Sequence, residues 1–142
     1  MTPHQINLVK SSWKTVCTLD PVTVGGLFYN RVFEIAPVAK SMFRQPMEEQ
    51  SRKLLATLSF IINKLDKLDD IVSEVIKLAK RHIDYGVKPE HYAIVGDALL
   101  WTLEKGLGTN WNDELKQAWG ECYSILSTAM INAAEYTELD AA

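Results

Sequence analysis

Helix-start signals recur along this chain, and they constrain its fold more than any other feature of the sequence. Thr2-Pro3, Asp20-Pro21 and Asn112-Asp113 each place a capping side chain directly before proline or an acidic residue. Such side chains accept hydrogen bonds from the free N–H groups of the first helical turn. Proline at the first helical position already has the helical φ. The segments that follow carry apolar residues at helical spacing, and none shows the sustained alternation that strands require. The sequence therefore predicts an all-α protein.

Proline and glycine mark the ends of the predicted helices. Pro37 ends the second helix and a short helical turn is expected to follow it. Another helix is predicted over 47–64, and the next begins at Asp69 and stops near Gly86. A further helix is expected to begin at Lys88 and to end at Gly106 and Gly108. The last helix is expected to begin at Asn112. No repeat or linker interrupts 1–142, so one domain is predicted, with a frayed tail over 137–142.

Composition narrows the class of protein and of partner. The 142 residues are 47% hydrophobic and 23% charged, with a formal net charge of -3, which suits one globular domain. A net negative charge does not favour nucleic acid or anionic lipid as a partner. No apolar run approaches the roughly 18 residues that span a bilayer, and residues 1–5 do not resemble a secretion signal, so a cytoplasmic protein without membrane contact is expected. Cys17 and Cys122 have no metal-site spacing and are expected to be reduced core thiols, although a bridge between them stays open.

Three polar side chains fall on otherwise apolar helix faces: Tyr29, Gln50 and His82. Burying such a group without a partner costs about 1–3 kcal/mol, so each needs one. The simplest interpretation is that they bond to one another, to backbone carbonyls or to a trapped water. The alternative is a site, because a neutral imidazole is a good iron ligand, and a phenol and a carboxamide can donate to a small polar ligand.

A set of short segments carries a family resemblance through its order and spacing, including the 32-residue interval between Gln50 and His82. The segments are Ser11-Ser12-Trp13, Leu27-Phe28-Tyr29 followed by Pro37 and Phe43, Gln50-Ser51-Arg52-Lys53-Leu54, Lys80-Arg81-His82, Tyr85-Gly86-Val87-Lys88, Leu99-Leu100-Trp101-Thr102-Leu103-Glu104-Lys105-Gly106-Leu107-Gly108, and Ala118-Trp119 with Tyr123. From about Thr2 to Glu135 the chain resembles the globins, most closely the single-domain bacterial globins and, at lower similarity, neuroglobin. The resemblance implies the globin fold, with seven or eight helices around a haem pocket.

The resemblance also implies roles for individual residues. His82 would be the proximal ligand of the iron in haem b, with Tyr29 and Gln50 on the distal side, where dioxygen binds. Gly25 and Ser51 would let their two helices cross closely and bring Tyr29 near Gln50. The remaining expected haem contacts are Phe43 stacked on the porphyrin, Leu54 at the gas position, Leu78, Val87 and Val95 as apolar walls, Lys53 and Arg81 at the propionates, and Tyr92 near the imidazole. For the aliphatic residues ordinary core packing is the alternative, and for the two cations ordinary solvent exposure.

One position of the last helix departs from the family pattern. Flavohaemoglobin-like relatives tune the proximal histidine with a glutamate of the last helix, whereas the matching position here is Ala134, with Glu135 one residue further on. This departure weakens the case for peroxidase-like chemistry. His4 and His91 are expected to face solvent.

The expected function is reversible binding of dioxygen and of other diatomic gases, such as NO and CO, with high oxygen affinity and slow release. The rival is a nitric oxide dioxygenase that works with a separate reductase, because 142 residues leave no room for a flavin and nicotinamide domain. A haem-free helical interaction module is the third alternative.

Overall fold

The part of the chain that the structure describes folds into six α-helices and three 3-10 helices, without a strand. The structure is a computed structural model that describes residues 1–43 and 46–141, with side chains to residue 133. The α-helices are α1 (Pro3–Val16), α2 (Pro21–Ile35), α3 (Met47–Asn63), α4 (Val72–Asp84), α5 (His91–Leu107) and α6 (Asp113–Ala141). The 3-10 helices are Pro37–Met42, Leu68–Ile71 and Gly108–Asn110. The all-α prediction is confirmed.

The capping signals of the sequence form the expected hydrogen bonds. The N–H of Gln5 donates to Thr2 Oγ1 over 3.1 Å, and the N–H of Thr2 donates to Gln5 Oε1 over 3.0 Å, which makes a reciprocal capping box. The Asp20 carboxylate accepts the N–H of Thr23 over 3.2 Å. Asn112 Oδ1 accepts an N–H from the first turn of α6 in the same way, over 2.9 Å. These local bonds explain why three of the helices begin where the sequence predicts.

Most helix ends also agree with the sequence, and two boundaries differ. Gly86 and Gly108 follow α4 and α5 with φ of 86° and 56°, a conformation that favours glycine. The start of α5 is His91 rather than Lys88, because residues 88–90 form a turn in which the N–H of Lys88 donates to His91 Nδ1 over 2.9 Å. The segment from Asp69 opens as a 3-10 helix before α4 begins.

The last helix, α6, spans Asp113–Ala141, and Ala142 lies outside the described residues. The fraying of the tail over 137–142 stays a prediction. Each added residue of a helix gains one backbone hydrogen bond, and this segment contains no proline or glycine to stop it. The side chains of Ala134 and Glu135, whose register departs from the flavohaemoglobin pattern, lie outside the described part.

Two tryptophans join α1 to its neighbours in the core. The rings of Trp13 and Trp119 lie 5.9 Å apart, tilted by 58°. Trp119 Nε1 donates to Ser12 Oγ over 2.9 Å, which links α6 to α1, and Trp13 Nε1 donates to Ser59 Oγ over 2.9 Å, which links α1 to α3. Buried indole N–H groups need such partners, so these bonds fix the mutual rotation of the helices.

The two cysteines lie in different environments. Cys122 is buried, and burial raises the pKa of its thiol to about 12, as expected of a core thiol. Cys17 is exposed, so its prediction as a core residue was wrong. The reason is that α1 ends at Val16, and Cys17 is the C-cap residue where the chain turns into solvent. Both thiols are free.

Helix packing places the polar side chains of interest on two different pairs of helices. The α2 helix packs on α3 and α5, while α4 packs on α6. Tyr29 and Gln50 therefore belong to the α2–α3 pair and His82 to the α4–α6 pair. A groove of about 290 Å³ lies between α3 and α4, and Tyr29, Gln50 and His82 are not among the residues that line it.

Candidate functional site

The α2 and α3 helices meet with almost no side chain between their backbones. A Cβ added at Gly25 would overlap both Cβ and Oγ of Ser51, which is itself buried. Only glycine fits at this contact, because any side chain would push the helices apart. Tyr29 and Gln50 lie beside this contact, one turn after Gly25 and one residue before Ser51.

The close approach allows a hydrogen bond between those two side chains. Gln50 Nε2 donates to the hydroxyl oxygen of Tyr29 over 3.2 Å. The phenol accepts this bond, so its own proton stays available for another acceptor. Burial raises the pKa of Tyr29 to about 12, and the bond from Gln50 lowers it only in part. Tyr29 is therefore a neutral hydrogen-bond donor at physiological pH.

Aromatic rings surround Tyr29 on several sides. Phe28 and Phe43 contact it edge to face, with ring centroids at 5.0 and 5.1 Å, and Phe33 stacks on it at 6.3 Å. Phe43 was predicted as a site residue, whereas Phe28 and Phe33 were not assigned to the site. The spacing of Phe33, four residues after Tyr29 on the same helix face, is a signal that could have found it. These rings fix the phenol and keep its surroundings apolar.

His82 lies half-buried on α4, with one ring nitrogen occupied and one available. Its Nδ1 contacts the carbonyl oxygen of Leu78 over 2.8 Å, which assigns the ring proton to Nδ1. Within the described residues no hydrogen bond reaches Nε2, which keeps its lone pair. Burial lowers the pKa of His82, so the imidazole is neutral near pH 7.

Two tyrosines contact the imidazole of His82. The Tyr92 ring stacks on it at 6.4 Å with an interplanar angle of 25°, as expected of a residue near the imidazole. Tyr85 contacts it at 6.3 Å with an angle of 62° and is 55% exposed. Tyr85 was not assigned a role from the sequence, although it follows His82 by three residues, a spacing that brings helical side chains together.

The other predicted cofactor contacts belong to α3, α4, α5 and the segments next to them. Phe43, Leu54, Leu78, Val87 and Val95 are all half-buried, so each keeps apolar surface that a flat ring could cover. Leu78 and Arg81 line the groove between α3 and α4, and the N–H of Val87 donates to the carbonyl oxygen of His82 over 2.9 Å. Lys53 and Arg81 are exposed, and both can reach an anionic group at the surface.

These residues fit a haem. The donor set offers a neutral imidazole with a free Nε2, apolar walls, and a buried phenol–amide pair on other helices. One neutral histidine with apolar surroundings is the ligand set by which many proteins hold haem iron. The all-α fold together with these side chains is typical of helical haem-binding proteins.

Comparison with known proteins gives the family. The globin family profile matches residues 26–130, and the chain belongs to the globin family. An anaerobic nitrite reductase of Gossypium hirsutum is 33% identical over 144 residues, covering 91% of this chain and 88% of that protein. The flavohemoprotein of Bacillus subtilis is 31% identical over 112 residues, and the match covers 77% of this chain but only 28% of that longer protein.

Solved structures agree with this assignment. A bacterial globin from Campylobacter jejuni superimposes with a TM-score of 0.85 at 26% identity, over 96% of this chain and 99% of that one. An engineered carbene transferase from Rhodothermus marinus has a TM-score of 0.87 at 22% identity, covering 98% of this chain and 96% of that one, which shows a shared fold. The globin fold expected from the resemblance is therefore confirmed.

The remaining histidines lie elsewhere. His4 is exposed, as predicted, and its Nε2 lies 3.3 Å from a carboxylate oxygen of Glu114. His91 is half-buried rather than solvent-facing, because its Nδ1 accepts the N–H of Lys88 at the start of α5. No helix in the described part of the chain is both long enough and apolar enough to cross a membrane.

Proposed function

We propose that this globin holds haem b through His82 and reversibly binds dioxygen, as well as NO and CO, with high oxygen affinity. The observation that carries the proposal is the hydrogen bond from Gln50 to Tyr29 inside an aromatic surround. It leaves a neutral phenol with an unused proton in the pocket.

A haem b held at this site would supply a ferrous iron that binds diatomic gases. His82 would offer Nε2 to that iron, and the Leu78 carbonyl keeps the imidazole in the tautomer that leaves Nε2 unprotonated. Phe43, Leu54, Leu78, Val87 and Val95 would cover the flat ring and exclude water, while Tyr92 packs against the imidazole. Lys53 and Arg81 would pair with the propionates.

Tyr29 and Gln50 determine how firmly dioxygen is held. Dioxygen held in this pocket would carry partial negative charge, and the Tyr29 hydroxyl would donate to it in a charge-assisted hydrogen bond. Gln50 fixes the phenol oxygen, and its amide nitrogen carries a second hydrogen that it can donate. Such a bond contributes about 1.5–3 kcal/mol, and about 1.4 kcal/mol corresponds to tenfold, so we expect slow dioxygen release. Carbon monoxide carries less charge and gains less.

A second candidate function is nitric oxide dioxygenation, in which dioxygen and nitric oxide give nitrate. The likeness to a flavohemoprotein and to proteins named nitrite reductases favours redox chemistry with nitrogen oxides. Each cycle needs an electron, so this function requires a reductase as partner. Tyr29 and Gln50 would hold the same diatomic ligand as in the first candidate.

The test of the haem proposal is the Soret absorbance of the purified protein and of two histidine variants. His82→Ala removes the ligand nitrogen and should lose most of the bound haem. His91→Ala is the matched control, because it alters a half-buried histidine outside the site and should keep its colour. Colourless wild-type protein that takes up no added hemin, or His82→Ala protein with an unchanged Soret band, would overturn the proposal.

Product analysis separates the two candidate functions. The oxygenated protein is mixed with nitric oxide and a flavin reductase with NADH, and nitrate is counted per haem. Many turnovers would support dioxygenation, whereas one nitrate per haem indicates a reversible oxygen binder that reacts only once.

A further inference from the structure

Tyr123 of α6 forms a hydrogen bond to the backbone at the start of α5. Its hydroxyl donates to the main-chain carbonyl oxygen of Tyr92 over 2.6 Å. The two residues are 31 positions apart, so this bond joins two helices rather than neighbouring turns. A carbonyl oxygen has two lone pairs, so it can accept this bond and a helical one together.

The ring of Tyr123 is held as closely as its hydroxyl. A Cβ added at Gly96, one turn after Tyr92, would lie 2.7 Å from Cε2 of Tyr123. The phenol ring therefore rests directly on the α5 backbone, where only glycine leaves room for it. Contacts at both ends of the side chain fix the first turn of α5 against α6.

That first turn carries the ring that stacks on His82. The Tyr92 ring lies 6.4 Å from the imidazole and 25° from parallel to it. The carbonyl oxygen of Leu78 lies 2.8 Å from Nδ1 of His82 and holds the edge of the imidazole. The Leu78 carbonyl, Tyr85 and Tyr92 therefore all contact the imidazole, and the stacking contact depends on where Tyr92 lies.

We propose that Tyr123 is a positioning residue for His82, acting through the backbone and ring of Tyr92. The proposal rests on the proposed haem ligation by His82. The orientation of an axial imidazole governs its bond to the metal, and contacts behind a ligand are an established means of tuning it. Tyr123 itself contacts neither the imidazole nor the cofactor in this arrangement.

The test is the iron–histidine stretching band of the ferrous, ligand-free holoprotein, measured by resonance Raman spectroscopy. Tyr123→Phe removes the hydroxyl and keeps the ring, so we expect the band to shift and broaden. Ser127→Ala is the matched control, because it removes another hydroxyl of α6, one that donates to the carbonyl oxygen of Ser124 within the same helix, and leaves the Tyr92 anchor unaltered. Its band should stay at the wild-type position. An unchanged band in Tyr123→Phe would contradict the proposal.

A double-mutant comparison asks whether the effect passes through Tyr92. In a Tyr92→Ala background, adding Tyr123→Phe should produce no further shift, because the stacked ring is already gone. A shift of equal size in both backgrounds would contradict the proposal. A wild-type holoprotein with no iron–histidine band at all would instead overturn the haem proposal, so the two failures are distinguishable.

A measurement without haem covers the case in which Tyr123→Phe fails to retain the cofactor. The NMR resonances of the His82 ring protons in the haem-free protein depend on the ring current of Tyr92. They should move in Tyr123→Phe and stay in place in Ser127→Ala, and equal behaviour of the two variants counts against the proposal.

Discussion

Tyr29 shows how the environment of a single side chain decides its chemistry. The same phenol on a helix surface would exchange its proton with water, but here it accepts from Gln50 and lies among three phenylalanines. Because its oxygen accepts the bond from Gln50, the hydroxyl hydrogen is not used in that bond and can be donated to another group. The arrangement makes Tyr29 a directed donor.

Replacing Tyr29 by phenylalanine tests that role. The ring and its packing are retained, so the variant should fold normally, while dioxygen dissociation should accelerate at least several-fold because a charge-assisted bond is lost. Dissociation is measured by stopped-flow displacement with carbon monoxide. Tyr85→Phe, outside the dioxygen side, should leave the rate unchanged. A wild-type rate in Tyr29→Phe would show that the hydroxyl does not reach the ligand.

The pKa of Tyr29 also predicts a loss of stability in alkali. Its value rises from 10.0 in the unfolded chain to about 12 in the fold, so above pH 10 the unfolded state releases its proton first. The stabilising difference is therefore fully present below pH 10 and is lost as pH rises towards 12. Two pKa units correspond to about 2–3 kcal/mol.

Urea unfolding between pH 8 and pH 11.5 measures this dependence. The decline in the free energy of unfolding should be shallower in Tyr29→Phe, because that variant has one group fewer to titrate. Identical slopes in the two proteins would contradict the prediction. Cys122, whose pKa burial raises to about 12, contributes in the same direction in both.

At the scale of elements, the crossing of α2 and α3 controls the site. Gly25 and Ser51 let the two backbones meet, and the hydrogen bond between Tyr29 and Gln50 depends on that distance. Neither helix alone places these two polar groups within bonding range. The crossing therefore has a functional as well as a structural consequence.

A pair of neighbouring glycines allows a controlled test of the crossing. Gly25→Ala should destabilise the protein by about 1–3 kcal/mol, because the added methyl overlaps Ser51 and its backbone, and should speed dioxygen release. At Gly26 an added Cβ meets nothing within 4 Å, so Gly26→Ala should be neutral or stabilise by up to about 1 kcal/mol. Chemical denaturation gives both values. Equal effects at the two positions would argue against a tight crossing.

At the scale of the whole molecule, buried polar bonds join helices that are distant in sequence. Ser12 Oγ accepts the indole N–H of Trp119, 107 residues away, and donates to the carbonyl of Leu8 over 2.7 Å. The serine thus satisfies a buried tryptophan while keeping its own proton paired. This arrangement fixes α6 against α1.

Removing the Ser12 hydroxyl should weaken the whole fold. Ser12→Ala leaves the buried indole N–H of Trp119 without a partner, which costs about 1–3 kcal/mol. Ser11→Ala, at an exposed neighbouring position, should change the free energy of unfolding by less than about 0.5 kcal/mol. Thermal unfolding compares the two, and a Ser12→Ala protein as stable as wild type contradicts the expected role.

The sequence by itself determined the features that depend on neighbouring residues. Caps such as Thr2 with Gln5, the glycine stops and the apolar helix faces follow from interactions within a few residues, so they could be read directly. The family resemblance added the candidate residues, since it compares the order and spacing of whole segments. The exposed position of Cys17 was missed because the end of α1 falls one residue earlier than the apolar pattern suggests.

Only the tertiary structure decided which of these side chains meet. The bonds from Gln50 to Tyr29 and from Tyr123 to Tyr92 span 21 and 31 residues, and both depend on how closely two helices cross. Helical periodicity fixes the face on which a residue lies, but not the distance or rotation of the helix opposite. That geometry follows from close packing at contacts such as Gly25 with Ser51 and Gly96 with Tyr123, where the absence of a side chain brings two elements together.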